Sequence, residues 1–241
     1  MQYYDIMREG RLQSQRDKQT LQSLVSDISH QVKTPIANVK LYTGILQRRD
    51  ISGEKREQFL HTMEAQINKL DFLMQSLIKM SRLETGTFIL CPLEARLNDT
   101  IAQAMNTVWG KAEQKKIEIS VDCGAEIMVR HDPKWTAEAI GNILDNAVKY
   151  TRSGGTITIA VRPWQFYTRI DISDTGRGIP EEHYNDVFQR FYREEEVAAE
   201  EGVGLGLYLA NGIITRQKGY ISVKSKVGEG TTFSVYLLSF N

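Results

Sequence analysis

Leu60, Met63, Ile67, Leu70, Met74 and Leu77 fall at alternating steps of three and four without a break. A helix turns once in about 3.6 residues, so this spacing lays all of them along one stripe. The stripe is the seam of a helix packed at a shallow angle on another helix. Upstream, Leu21, Leu24 or Val25, Ile28, Val32, Ile36, Val39 and Leu46 recur with the same period. Asp50-Ile51-Ser52-Gly53 separates the runs and reads as a short turn, with Ser52 as N-cap of the second helix. The expected unit is an antiparallel helical hairpin. A helix of roughly 35 residues is a rod of ~50 Å, and two such rods leave one apolar face over. A second copy of the hairpin would cover it and complete a four-helix bundle, which makes a homodimer the expectation. The competing arrangement is a two-helix arm packed on its own globular domain. Pro35 falls inside the first helix, where it removes a backbone hydrogen bond and kinks or loosens the helix locally.

At Glu84-Thr85-Gly86 the helical period ends. Strands are expected at 88–90, 117–121, 127–130, 156–161, 168–173, 220–224 and 231–238, and helices at 97–113, 133–151 and 205–218. Asp132-Pro133 gives the second of these helices a cap and a favourable first position. The short turns Gly154-Gly155 and Gly228-Glu229-Gly230 favour a mixed, partly antiparallel sheet. The fold class is therefore α+β, a helical hairpin followed by an α/β sandwich.

Lys plus Arg and Asp plus Glu both number 30 in 241 residues, which gives no reason to expect nucleic acid as a partner. The two cysteines, Cys91 and Cys123, are unpatterned and point to a reducing compartment. No apolar run is long enough for a membrane helix. The expectation is a soluble cytosolic protein, or the cytosolic piece of a larger one.

Three glycine- or asparagine-containing motifs carry chemistry. Gly202-Val203-Gly204-Leu205-Gly206 opens an expected helix, where backbone N–H groups and the helix N-terminus suit phosphate. It follows an acidic segment (Glu194 to Glu201) and not a strand, so it does not fit a Rossmann turn. Asp174-Thr175-Gly176-Arg177-Gly178-Ile179-Pro180 ends a strand; its carboxylate can accept a hydrogen bond from an amino group such as adenine's, and its glycines let a flat ring approach. Asn142, Asn146, Lys149 and Tyr150 lie close to one face of a helix and offer amide oxygens, an ammonium and a ring. Each of these has a bland reading as well, a plain turn or a solvated helix face. Far upstream, Ser29-His30-Gln31-Val32-Lys33-Thr34-Pro35 places one histidine on the first helix.

In this order, these motifs resemble the histidine kinases of bacterial two-component systems. His30 and its neighbours resemble the phosphoacceptor box, Asn142 to Tyr150 the N box, Asp174 to Gly178 and Gly202 to Gly206 the two glycine boxes. Phe188-Gln189-Arg190-Phe191-Tyr192-Arg193 resembles the F box, and Gly228-Glu229-Gly230-Thr231-Thr232-Phe233 the closing glycine-threonine turn. The resemblance implies a linker or signalling helix over 1–20, a dimerising phosphotransfer domain over 21–85, and a Bergerat-type ATP-binding domain over 86–241. It implies ATP and Mg²⁺ as cofactors, with His30 attacking the γ-phosphate. Asn146, assisted by Asn142, would hold the metal. Lys149 would contact phosphate, Tyr150 flank the adenine, and Asp174 read its amino group. Gly176, Gly178, Ile179, Gly202, Gly204, Leu205, Gly206 and Thr232 would complete the nucleotide site. One of Arg190 and Arg193 would reach the γ-phosphate, and residues 194–202 would form a lid. The partner would be the receiver domain of a response regulator. A membrane would enter only through a segment this chain does not carry.

One departure stands out. Relatives often carry Glu or Asp directly after the histidine, and here that position is Gln31. An amide can orient the ring but cannot take its proton, which leaves proton removal to water or another side chain. Thr34 matches the position that relatives use to orient water when they dephosphorylate their partner. Two other readings remain: a conformational ATPase sharing the ATP fold, for which Glu138 would have to act as base, and a dimerising pseudokinase.

Overall fold

In the computed structural model, residues 2–47, 51–124, 126–194 and 202–239 are described, with side chains from residue 18 onward except at 20 and 21. The Leu21 side chain, Asp50 and residues 195–201 of the expected lid therefore lie outside the described residues. The chain forms two compact units, Met1–Gln75 and Ser76–Asn241.

The first unit is the hairpin. α1 runs over Gln2–Leu46, with Pro35 inside it and the helix continuous on both sides. α2 runs over Gly53–Glu84. Ser52 caps it as expected: its Oγ accepts from Lys55 N–H at 3.4 Å and its carbonyl accepts from Arg56 N–H at 3.0 Å. Tyr42 of α1 stacks on Phe59 of α2 at 5.4 Å, and Asn38 donates to Gln66 at 3.4 Å, which fixes the antiparallel pairing. The apolar seam of α2 divides into two rows of heptad spacing. Met63, Leu70 and Leu77 are half-buried. Leu60, Ile67 and Met74 remain 52%, 54% and 58% exposed.

The second unit begins with the last turns of α2. After them come β1 (Leu93–Arg96), α3 (Leu97–Asn106), α4 (Trp109–Gln114), β2 (Glu118–Asp122), β3 (Met128–His131) and α5 (Pro133–Tyr150). β4 (Thr156–Pro163), β5 (Tyr167–Asp174), α6 (Gly206–Arg216), β6 (Tyr220–Lys226) and β7 (Gly230–Leu238) complete it. β1 and β3 form a small antiparallel ladder. The main sheet has the order β2-β4-β5-β7-β6, parallel between β2 and β4 and antiparallel elsewhere. Alternation along the strands buries Ile157, Ile159, Ile170, Ile172, Val235 and Leu237 on one face. That face meets α5 and α6, whose Ile140, Ile143, Leu144, Ile213 and Ile214 are equally buried.

Two local expectations change. Residues 88–90 form no strand; Phe88 is buried with its ring 4.2 Å from Trp135, so its apolar character serves packing, and the strand lies at Leu93–Arg96. The expected helix over 97–113 is two helices, because Thr107 turns its hydroxyl back onto Ala104 O at 2.7 Å and ends the first.

Candidate nucleotide and phosphoacceptor sites

His30 lies in the first unit on α1. Its side chain is exposed, and so is that of Thr34 one turn further on, while Gln31 is half-buried. Residues four apart share a helix face, so His30 and Thr34 present a hydroxyl and an imidazole side by side to solvent. Pro35, at the end of the motif, is buried.

All the other candidate residues lie in the second unit. α5 forms because Asp132 caps it, accepting from Trp135 N–H at 3.0 Å, with Pro133 in the first turn. Ile143, Leu144 and Ala147 anchor the helix in the core and leave Asn142, Asn146, Lys149 and Tyr150 half-buried on another face. Lys149 Nζ donates to the Tyr150 hydroxyl at 2.8 Å and lies 4.4 Å from the centre of its ring.

Asp174 is the last residue of β5. Its Oδ1 accepts from Gly176 N–H at 2.8 Å, and Thr231 N–H donates to the same carboxylate. Burial raises the carboxyl above its ordinary range, and the two backbone hydrogen bonds pull the other way. A Cβ at Gly176 would sit 2.6 Å from Asp174 Oδ1 and 2.8 Å from Tyr150 O, so a side chain there would fill the space beside the carboxylate. The turn onward through Gly178 is tied down by Ile179 N–H donating to Ser225 Oγ at 2.8 Å. Arg177, between the two glycines, pairs with Glu194 at 2.9 Å.

The second glycine run closes on α5. Gly204 has φ +77°, and a Cβ there would lie 2.7 Å from Tyr192 O and 2.8 Å from Phe191 C, so only glycine fits this bend. Leu205 is fully buried, and Gly206 starts α6. A Cβ on Gly206 would meet Asn142 Oδ1 at 3.3 Å, and one on Gly202 would meet Lys149 Nζ at 3.0 Å. The fold thus brings Asn142 and Lys149 to the Gly202–Gly206 bend. Among the described residues Asn142 Nδ2 is buried without a hydrogen-bond partner. A bound oxygen would satisfy it, and the amide turned over would present its oxygen at the same point.

Arg190 is engaged elsewhere in this unit: its guanidinium donates to Glu84 Oε1 at 3.0 Å. Arg193 is half-buried beside Tyr192 and Glu194. Thr232 does not point into the site. Its hydroxyl pairs with Ser173 Oγ at 2.9 Å on the more exposed face of the sheet. Thr231 is the buried neighbour that meets Asp174. Strand alternation could have identified it, since Phe233 must face the core and Thr231, two residues earlier, shares that face. Glu84 and Tyr208 carried no motif and escaped sequence reasoning.

Residues 20–86 match the family described as His Kinase A (phospho-acceptor) domain, and residues 131–240 match the one described as Histidine kinase-, DNA gyrase B-, and HSP90-like ATPase. Together the two matches take in well over half the chain. The Drug sensory protein A of Synechocystis is 29% identical over 97% of the chain, which spans 36% of that protein. The Sensor protein DivL of Caulobacter vibrioides is 26% identical over 88% of the chain, which spans 27% of that protein. Among solved structures, the Acinetobacter baumannii histidine kinase AdeS aligns with a TM-score of 0.73 at 21% identity, covering 88% of this chain and 98% of that one. The histidine kinase ThkA, solved in complex with response regulator protein TrrA, aligns with a TM-score of 0.77 at 19% identity, covering 94% and 64%. At these identities the structural likeness shows the fold.

Proposed function

This chain belongs to the histidine kinases of two-component signalling, and on that premise we propose that it phosphorylates itself on His30 from ATP and passes the phosphoryl group to an aspartate of a response regulator. The observation that carries this reading is the pairing, in one chain, of an exposed His30 with a half-buried Asp174 whose carboxylate is held by backbone N–H groups at a glycine turn. Asp174 accepts from the adenine amino group, and the space that a Cβ at Gly176 would fill admits the ring. Tyr150 flanks it. Lys149 and the N–H groups of the Gly202–Gly206 bend hold phosphates at the start of α6. Asn146 and Asn142 are the oxygen ligands that would hold Mg²⁺, consistent with the orphaned amide of Asn142. When bound, that ion supplies neutralisation of phosphate charge. One of Arg190 and Arg193 reaches the γ-phosphate. A His30 ring nitrogen forms the new bond to phosphorus, the bond to the β-phosphate oxygen breaks, and ADP leaves. Gln31 orients the ring and takes no proton from it.

Leu60, Ile67 and Met74 support a homodimer, since they form a row of apolar side chains left over half exposed on the hairpin. Thr34, one turn from His30, supports a second activity, the orientation of water for dephosphorylating the regulator. No described helix is long and apolar enough to cross a membrane. The chain spans a minor part of the two sensor proteins above, and we assign it to the cytoplasmic part of such a sensor.

The conformational-ATPase alternative needs a free base on α5. Glu138 is instead the ion-pair partner of Lys79 at 2.5 Å. The test is incubation with γ-labelled ATP and Mg²⁺ followed by acid. Acid-labile label that disappears in His30→Ala supports the kinase. Hydrolysis without retained label favours the ATPase, and no turnover at all favours a pseudokinase.

A further inference from the structure

Within the second unit, the C-terminal residue of α2 holds one of the two arginines proposed for the phosphate. Glu84 Oε1 accepts from Arg190 at 3.0 Å and from the Tyr208 hydroxyl at 3.1 Å. The Arg190 guanidinium also lies 5.9 Å from the centre of the Tyr208 ring. Arg190 belongs to the segment just before the proposed lid, and Tyr208 sits in the first turn of α6, two residues after Gly206. The position of Glu84 is itself fixed, because Arg216 of α6 donates to the carbonyl of Leu83 and Leu83 is buried. One carboxylate therefore ties the end of α2 to the F-box segment and to the helix whose N-terminus is proposed for the phosphates.

We propose that Glu84 is a brake: it sequesters the Arg190 guanidinium from the γ-phosphate, and release of Glu84 is the step that makes Arg190 available. This deepens the reading of the site as an ATP site, rests on it, and commits to Arg190 as the phosphate contact. The physical reasons are charge and competition. A guanidinium whose Nη1 is held by a carboxylate can offer a phosphate its full fork of N–H donors only by giving up that bond. The carboxylate and the C-terminal end of α2 both set negative charge beside Arg190. Burial and Glu84 together raise the Tyr208 hydroxyl above its ordinary range, in keeping with a phenol that donates to a carboxylate. Arg190 is 21% exposed and Glu84 40%, so the pair is partly screened and its hold is modest. A modest hold suits a brake that must open. With the Leu83 carbonyl held by Arg216, release means swinging the Glu84 side chain off Arg190 while the end of α2 stays in place.

The test is nucleotide binding to the full chain, read by calorimetry with ADP and with a non-hydrolysable ATP analogue, each with Mg²⁺. Arg190 freed from Glu84 gains a partner only in the nucleotide that has a γ-phosphate. Glu84→Gln should therefore bind the ATP analogue about threefold more tightly while leaving ADP unchanged. Tyr208→Phe, which removes a second hydrogen bond from the same oxygen, should move in the same direction by less. In an Arg190→Gln background, Glu84→Gln should change neither nucleotide. The brake is overturned if Glu84→Gln leaves the ATP analogue unchanged, if both nucleotides tighten equally, or if the gain persists without Arg190. Wild-type protein that binds neither nucleotide would sink the ATP-site reading, and the brake with it. Thermal melts of Glu84→Gln check that the isosteric variant stays folded.

Discussion

Asp174 shows how one residue can be held against its own preference. Its carboxylate is half-buried at the end of β5 and carries a raised pKa, because desolvation outweighs the two N–H donors. Folding therefore disfavours the ionised carboxylate relative to the unfolded chain. Without nucleotide, the stability this group contributes is fullest below the ordinary carboxylate range and is lost as pH rises through the window up to the raised folded value. Asp174→Asn removes that penalty. At neutral pH it should stabilise the nucleotide-free protein by about 1 kcal/mol and weaken ATP binding roughly tenfold or more. Thermal melts with and without ATP check both, and a variant that melts lower yet binds ATP normally would refute the assigned role. At the phosphoacceptor, Thr34→Ala should weaken dephosphorylation of the regulator about tenfold or more while sparing phosphorylation of His30. A phosphatase assay on a pre-phosphorylated receiver domain measures the first, and equal loss of both would count against the role. The residue scale is also where sequence reasoning was weakest. Thr231 and Thr232 are chemically alike and adjacent; strand alternation buries the first, and the register of β5 on β7 brings its N–H to Asp174. Glu84 belongs to no motif, and only the folded end of α2 brings it to Arg190.

At the scale of elements, period was the legible signal. The steps of three and four in α2 marked a helix and its stripe, and Ser52 and Asp132 marked two helix starts. The period could not separate the half-buried row of Met63, Leu70 and Leu77 from the exposed row of Leu60, Ile67 and Met74, because both obey it. Short apolar runs misled. Phe88 is apolar for its contact with Trp135, and β1 lies further on, where pairing with β3 decides the structure. The exposed row carries a prediction. Each large apolar side chain buried in a partner contributes about 1.5–3 kcal/mol, so replacing Leu60, Ile67 and Met74 together by glutamate should turn a dimer into a monomer. Sedimentation equilibrium of the variant and the parent decides it. A variant as dimeric as the parent would place the interface elsewhere.

For the molecule as a whole, the order of motifs carried more than any motif alone. A helical histidine is ordinary, and so is a glycine-rich turn. Their occurrence in one chain, in this sequence order, implied a phosphotransfer domain followed by an ATP-binding domain, while period and turn residues marked the helical hairpin and the mixed-sheet α/β unit that the fold has. The geometry that no sequence pattern held is the convergence of Asn142, Lys149, Gly202 and Gly206, which needs α5 and α6 packed side by side on the buried face of the sheet. The function assigned to the whole depends on one bond between phosphorus and a ring nitrogen of His30. The most direct test is to incubate the protein with ATP and Mg²⁺, digest it at alkaline pH and locate the phosphoryl group by mass spectrometry. A kinase of this kind yields the modification on the peptide containing Ser29 to Pro35, lost on brief acid treatment and absent from His30→Ala. An acid-stable phosphate, or one on any other peptide that survives His30→Ala, would contradict it.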